Sequence, residues 1–306
     1  GIIADYDVDG ATSAALLYKF LSFFKCSISL KIPDRLNEGY GPNKRIMDEF
    51  IEEKINLVFS LDCGTTSFEI LDHPNYKEID VIIIDHHISE NKLPNIYSII
   101  NPNRFDENSG LKDLAAVGVT FLFIMGLRKI LRENNYFDDK KSEPNLLGNL
   151  DLVALGTVCD VVNLSDYNRN FIIKGLEIIK KRTHKGISQI IDNSNINHSP
   201  TATDLSFIVG PQLNAASRVD DSSLSHKLLI SNNLIEIETI TKKIFLLNEK
   251  RKLIESNIYD QALEQAKKQI NKKFLLVYGL GWHKGILGII ASRLVEKFNK
   301  PAIVIS

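Results

Sequence analysis

Three short apolar runs of this 306-residue chain end in acid. Ile2-Ile3-Ala4 leads into Asp5-Tyr6-Asp7-Val8-Asp9-Gly10, Val58-Phe59-Ser60-Leu61 into Asp62-Cys63-Gly64, and Val81-Ile82-Ile83-Ile84 into Asp85-His86-His87. Carboxylates gathered with few cations nearby repel one another, and bound divalent metal is the usual remedy. Carboxylate plus imidazole, with no thiolate set, suits Mn²⁺, with Mg²⁺, Zn²⁺ and Fe²⁺ as competitors. Four or five carboxylates exceed what one ion needs. Two ions about 3.5–4 Å apart would activate a water and stabilise the leaving oxygen of a phosphoryl ester. Asp160, after the apolar segment 152–158, is a further candidate ligand. Any one of these acids alone reads as structural, because Asp after a strand caps helices and starts turns. Three acid-ended runs, one carrying a His pair, are poorly explained by capping alone.

Such residues meet only if the elements before them lie side by side. The first half alternates short apolar runs (2–4, 57–61, 81–84 and a weaker 98–100) with helical spacing at 12–24 and 44–54. That alternation points to an α/β domain with a largely parallel sheet, whose ligands collect at the carboxyl ends of the strands. Residues 117–130 read as a buried helix and 146–155 as another, while 134–145 and 192–203 read as surface loops. Residues 236–270 contain neither Gly nor Pro, and Ile237, Ile240, Ile244, Leu247, Ile254 and Ile258 keep helical steps with one gap at Arg251. This predicts a single helix roughly 50 Å long, a connector between two domains. A strand at 274–278, a Gly-rich turn, a helix at 286–298 and a strand at 302–305 read as the start of a second α/β domain, inside which the chain stops. The expected division is a catalytic domain over 1–230, a connector helix over 231–270 and a smaller α/β domain over 271–306.

Lys plus Arg number 37 against 38 Asp plus Glu, with 25% charged and 44% hydrophobic residues, a folded rather than disordered balance. The near-neutral charge confines any phosphate-binding surface to a local patch. No apolar stretch approaches the ~20 residues of a membrane-spanning helix. The opening Gly1-Ile2-Ile3 shows no signal peptide and reads as the middle of a strand. Cys26, Cys63 and Cys159 form no C-x-x-C pair, so a disulfide framework and a zinc ribbon are both disfavoured, and a reducing, cytoplasmic location is expected.

The acidic segments resemble the first three motifs of the DHH phosphoesterase superfamily, and Gly156-Thr157-Val158-Cys159-Asp160-Val161-Val162 resembles its fourth. Within it the sequence is most similar to the RecJ branch of single-stranded-DNA-specific exonucleases. Supporting stretches are Leu93-Pro94, Ile100-Asn101-Pro102, Leu114-Ala115-Ala116-Val117-Gly118-Val119, Gly210-Pro211-Gln212-Leu213-Asn214-Ala215-Ala216-Ser217-Arg218 and the segment 281–294 from Gly281-Trp282-His283-Lys284-Gly285 to Arg293-Leu294. The resemblance implies a Mn²⁺-dependent enzyme, with Mg²⁺ as a substitute. Two ions would activate a water that attacks the phosphodiester, releasing mononucleotides from the 5′ end of single-stranded DNA. By motif position, Asp7, Asp9, Asp62, His86 and Asp160 are the metal ligands, with Asp62 bridging. Asp5 and Asp85 orient ligands, and His87 faces the scissile phosphate. Arg218 clamps DNA phosphate, with His283 and Arg293 as weaker phosphate contacts. Tyr6 and Tyr40 are offered as base-stacking residues, although packing is the commoner role for each. Trp282 reads equally well as a packed turn residue.

The family has a small residue where Cys159 stands, a Pro at Asn163 and a Gly at Ser217; none of these removes a proposed ligand. The family also carries a Ser- and Arg-bearing motif and an oligonucleotide-binding barrel beyond the point where this sequence stops. A single-strand-binding protein and a helicase are implied partners in DNA repair and recombination, and a monomer is expected. Two other readings stand beside the nuclease. One is a sibling phosphoesterase acting on short oligoribonucleotides, cyclic dinucleotides or pyrophosphate. The other is a non-catalytic replication scaffold of the same fold, against which the full set of candidate ligands argues.

Overall fold

A computed structural model describes residues 1–306, the side chain of Asp166 excepted. Five parallel strands, β1 (Ile2–Ala4), β2 (Leu30–Lys31), β3 (Leu57–Leu61), β4 (Asp80–Ile84) and β5 (Ser98–Ile100), form a sheet in the order β2-β1-β3-β4-β5. The strands read as unbroken apolar runs because both sheet faces are covered. Ile2, Ala4, Phe59, Leu61 and Ile84 enter the main core, while Ile3, Val58, Val81 and Ile83 enter a second core with Ile46, Met47 and Phe50. Strand order reverses between β1 and β3, the position where open α/β sheets bind ligands.

The first half supplies helices α1 (Val8–Phe23), α2 (Lys44–Glu52), α3 (Phe68–Leu71) and α4 (Ala116–Glu133). Then follow α5 (Leu150–Cys159), α6 (Asp166–Lys180), α7 (Lys185–Asn193), α8 (Ala202–Asp204), a π-helical turn at Leu205–Val209, α9 (Gly210–Val219) and α10 (Leu224–Ile230). The long helix α11 (Leu234–Lys267) precedes β6 (Leu275–Tyr278), α12 (Lys284–Phe298) and β7 (Ala302–Ile305), with β6 and β7 paired in parallel.

Register does most of the positioning. Ala4 pairs with Leu61, Leu61 with Ile84 and Ile84 with Ile100. The next residues, Asp5, Asp62, Asp85 and Asn101, therefore stand in one row beyond the carboxyl edge. Two glycines bring helices onto that row. A Cβ on Gly10 would lie 2.3 Å from the Asp5 carbonyl oxygen, so α1 can rise directly off β1. A Cβ on Gly156 would lie 2.2 Å from Thr12 Oγ1, so α5 packs hard on α1 and delivers its end, at Asp160, beside Asp9.

Several expectations shift. Helix α1 begins four residues earlier than its apolar spacing predicts, because Asp7 caps it by accepting from Gly10 N at 3.0 Å. The predicted helix over 146–155 opens as a 3-10 turn at Leu147–Asn149 and runs on to Cys159. Helix α4 is buried only over its first half, with Met125 and Ile130 exposed. Helix α11 has 34 residues, starting where Asn233 caps Ile235 and Glu236 and ending three residues before the predicted Ile270. It is not a free strut. It packs on α7, α9 and α10 along one part and on α12 and β6 along another. A single apolar core runs from Ile2 through Ile258 and Ala262 to Leu275, Ile286 and Leu294. No described helix is long and apolar enough to cross a membrane.

Candidate metal centre and phosphate cleft

The acids and the His pair meet at the β1/β3 crevice. His86 Nε2 lies 3.4 Å from Asp62 Oδ1, 3.4 Å from Asp160 Oδ2 and 3.8 Å from Asp9 Oδ2. Donor atoms of Asp5, Asp7 and Asp62 lie within 4.8 Å of one another, as do those of Asp9, His86 and Asp160 and those of Asp62, His86 and His87. Three groups, of which the Asp62–His86–His87 group overlaps one at Asp62 and the other at His86, have room for more than one ion. Asp5 Oδ1, Asp62 Oδ1, His86 Nε2 and Asp160 Oδ2 are all buried without a hydrogen-bond partner. Buried polar atoms are nearly always paired, so four orphans in one place call for a ligand. The donor set is oxygen with one or two imidazole nitrogens, which suits Mn²⁺ or Mg²⁺.

Electrostatics agrees. Burial first, then Asp7, pushes Asp5 up to about 8, and the same causes push Asp160 up to about 7. Burial, reinforced by Asp160 and Asp7 at Asp9 and by Asp9 and Asp7 at Asp62, raises those two carboxyls well above the usual range. A cation would reverse every one of these shifts.

Asp85 is the exception and has a different task. Burial acts to raise it, yet hydrogen bonds from His87 and Thr65 outweigh burial and bring it down to about 2. Its Oδ1 accepts from His87 Nδ1 at 2.8 Å and from the backbone N–H groups of His86 and His87 at 2.7 and 3.2 Å. Its Oδ2 accepts from Thr65 Oγ1 at 2.6 Å and Thr65 N at 3.2 Å. Asn101 Nδ2 donates to Thr65 Oγ1 at 2.9 Å and to the His87 carbonyl at 2.8 Å. Asn103 Nδ2 donates to the His86 carbonyl at 2.6 Å. The imidazole of His87, fixed through Nδ1 and half-exposed, is left with Nε2 free. The Asp85 bond, opposed by burial, raises its pKa. His86 is lowered by burial and then by His87, the neutral state a metal ligand needs.

Asp7 and Asp9 are helix caps as well. Asp9, 1% exposed, accepts from Ala116 N at 2.6 Å and Val117 N at 2.9 Å, satisfying the first donors of α4. Asp62, directly after β3, has φ +59°, in the left-handed region. Tyr40 donates to the Asp62 carbonyl at 2.7 Å and lies 3.2 Å from His87 Nδ1, while Tyr6 lies beneath the Arg35 guanidinium at 4.7 Å. Both tyrosines border the centre with those contacts already made.

Arg218 stands in a cleft beside this centre. Its guanidinium donates to the Gly285 carbonyl at 3.1 Å, joining α9 to the start of α12. Burial first, then Arg35 and Arg251, lowers it to about 10, the mark of crowded cations suited to an anion. Arg218 and Arg251 share a cavity of about 180 Å³ with Cys159, Ser206 and Asn214. Arg251, absent from the sequence-based candidates, was signalled by the gap it leaves in the apolar stripe of α11; its buried Nε is unpartnered. Thr65, Asn103 and His226 were also not read, and Asn101 entered only within the stretch Ile100-Asn101-Pro102, without a role in the site. His226 Nε2 donates to the Asp5 carbonyl at 2.9 Å, holding the end of β1. The structure does not bring His283 or Arg293 to the acid cluster. His283 caps α12 by accepting from Gly285 N at 3.2 Å. Arg293 pairs with Glu255 at 3.1 Å and lies over the Tyr259 ring. Trp282 is buried and donates to Gln261 Oε1 at 3.2 Å, a packing role.

Residues 1–157 match the model of the DHH family, N-terminal domain. The chain belongs to the DHH family. Single-stranded-DNA-specific exonuclease RecJ of Escherichia coli is 37% identical over 311 residues, covering 99% of this chain and 54% of the relative. RecJ of Bacillus subtilis is 33% identical, covering 99% of this chain and 37% of the relative. This DHH chain thus spans about half or less of those curated relatives. A crystal structure of exonuclease RecJ bound to manganese superposes with TM-score 0.86 at 28% identity, over 99% of this chain and 74% of the other. A Thermus thermophilus RecJ structure with Mn²⁺ gives 0.83 at 26% identity, over 99% of this chain and 42% of the other.

Proposed function

We propose that this DHH chain carries the hydrolytic centre of a metal-dependent exonuclease that degrades single-stranded DNA from the 5′ end and releases mononucleotides. The observation that carries the reading is the convergence of four unpartnered buried atoms, Asp5 Oδ1, Asp62 Oδ1, His86 Nε2 and Asp160 Oδ2, beside an arginine-lined cleft. Manganese in the solved relative supports the same assignment. Asp7, Asp9, Asp62, His86 and Asp160 would hold two Mn²⁺ or Mg²⁺ ions, with Asp62 shared. Bound there, the ions would lower the pKa of an attacking water and stabilise the leaving oxygen. Asp5 lies close enough to Asp7 and Asp62 to orient them or to join them as a ligand.

The chain's own residues supply the rest. Asp85 fixes His87 so that its free Nε2 donates to the charge developing on the scissile phosphate. Arg218 and Arg251 grip backbone phosphate, Arg218 while keeping its bond to the Gly285 carbonyl and Arg251 through its unpartnered Nε, its two terminal nitrogens being held by Glu255 and Asn248. His283 and Arg293 are assigned to more distant phosphate contacts, which require each to give up part of its present bonding. The division into 1–230, 231–270 and 271–306 is kept as our proposal for the domains. On family resemblance alone we extend the reading to a monomeric, cytoplasmic protein. On the same ground its partners are a single-strand-binding protein and a helicase, and its role is in DNA repair and recombination.

The test is Mn²⁺-dependent degradation of a 3′-labelled single-stranded oligonucleotide, run beside its duplex and an RNA of equal sequence. A ladder of shortened, still-labelled products from single-stranded DNA alone is expected. Cleavage of RNA only, or early release of the label, would refute the substrate or the polarity.

A further inference from the structure

Helices in this chain repeatedly terminate through a left-handed residue. Lys25, Lys54, Asn135, Arg182, Asn195 and Asn299 have φ between 50° and 57° and close α1, α2, α4, α6, α7 and α12. All six are unbranched at Cβ, and half are Asn, which tolerates this region better than other side chains. Helix α5 ends differently. Val161, directly after Asp160, has φ +59°. A β-branched residue there is a genuine outlier where Gly or Asn is the ordinary solution.

Packing does not explain the choice, because Val161 is 81% exposed. The isopropyl group is held in solvent, on an unfavourable backbone, next to a carboxylate whose Oδ2 lies 3.4 Å from His86 Nε2. Ile88, directly after His87, is 83% exposed, and Phe207, on the π-helical turn packed against α5, is 75% exposed. Val161 and Ile88 thus directly follow residues of the centre, Asp160 and His87, and Phe207 stands on a turn that packs against the helix delivering Asp160, all three with bare apolar side chains. Phosphate chemistry has no use for these groups, whereas a sugar and base do. Backbone strain concentrates where function over-determines the fold.

We propose that Val161 contacts the substrate, packing its isopropyl group against the nucleoside beside the phosphate held at the acid–histidine cluster. The proposal rests on the phosphodiesterase reading above. It makes Val161 a specificity residue, favouring nucleoside-bearing diesters over simple ones.

The test compares Val161→Gly, Val161→Asn and Val161→Ile on a single-stranded oligonucleotide and on methyl p-nitrophenyl phosphate, both with Mn²⁺. Gly and Asn suit the backbone, so their Tm should be no lower than that of wild type. Mn²⁺ uptake by calorimetry and turnover of the small diester should stay within about twofold. The oligonucleotide kcat/KM should fall about tenfold in both, a loss of the size set by apolar contacts, and recover in Val161→Ile. Equal losses on both substrates, no loss on the oligonucleotide, or a marked fall in Tm in both variants would overturn the proposal. Wild-type chain that turned over neither substrate would instead refute the phosphodiesterase reading, and the proposal with it.

Discussion

Asp62→Asn should stabilise the metal-free chain while removing its response to metal. The oxygens of Asp5, Asp7 and Asp62 lie within 4.8 Å of one another. Two unit charges at that distance repel by about 3.5 kcal/mol at an effective dielectric of 20. Neighbours with raised pKa values are partly protonated at neutral pH, so we count a single charged neighbour and work at pH 8.5. The expected gain is then on the order of 3 kcal/mol, or about 6 °C in Tm for a chain of this size. Asn also tolerates the left-handed backbone of Asp62, φ +59°, so no strain offsets the gain. The pH dependence follows from Asp5 and Asp160, pushed up to about 8 and about 7. Between about pH 4 and 8 the folded chain binds more protons than the unfolded one, so metal-free wild type loses stability as pH rises through that window. The advantage of Asp62→Asn, which exists only where Asp62 is ionised, should therefore grow as pH rises and vanish near pH 4. Mn²⁺ at a hundred times its Kd should add about 2.7 kcal/mol to wild type and little to the variant. Differential scanning fluorimetry with EDTA and with Mn²⁺ measures all of this. A variant less stable than wild type at pH 8.5 with EDTA, or one that keeps the full Mn²⁺ shift, would refute the reasoning.

Asp160→Ala should abolish hydrolysis while leaving the fold intact by circular dichroism, and near-wild-type activity would remove the two-ion reading. Thr65→Val should lower kcat about 10- to 100-fold with little change in KM, by loosening Asp85 and hence His87, and Thr65→Ser should restore it. Equal defects in both Thr65 variants would assign the side chain to packing instead. Arg218→Ala should weaken single-stranded DNA binding and reduce the slope of log K against log salt by about 1, while sparing a small phosphodiester. Equal losses on both substrates would move Arg218 from DNA capture to the chemistry.

The strands were legible in the sequence because a parallel sheet covered on both faces leaves unbroken apolar runs, as at Val81 to Ile84. The acids stood out because each follows such a run. What stayed hidden was register, which is a property of pairing. Only the pairing of Ala4, Leu61, Ile84 and Ile100 shows that Asn101 completes the row of Asp5, Asp62 and Asp85. Thr65 and Asn101 carry no charge and ligate nothing, so residue type gave no reason to select them. Strand β2, two residues long, has no periodicity to detect. Arg251 is the instructive case. A cation interrupting an apolar stripe looked like a fault in a helix, and the structure places it at a cavity shared with Arg218.

Capping and metal binding first look like rival explanations for these acids, yet the structure makes them complementary. Asp7 caps α1 and Asp9 caps α4, each accepting from backbone N–H groups at the positive end of a helix. A carboxylate has about four acceptor positions, so Asp9, with two taken, keeps two for a cation. The helix ends hold the acids in place and offset part of their charge before any metal arrives. This also decides which substitutions are informative. Changing Asp9 would strip α4 of its first two hydrogen-bond acceptors and perturb the fold together with the centre. Asp62 Oδ1 and Asp160 Oδ2 bind no backbone donor, so substitution there removes charge and ligand capacity alone. A loss of activity at those two positions, with Tm raised or unchanged, separates chemistry from architecture in a way no change at Asp9 can.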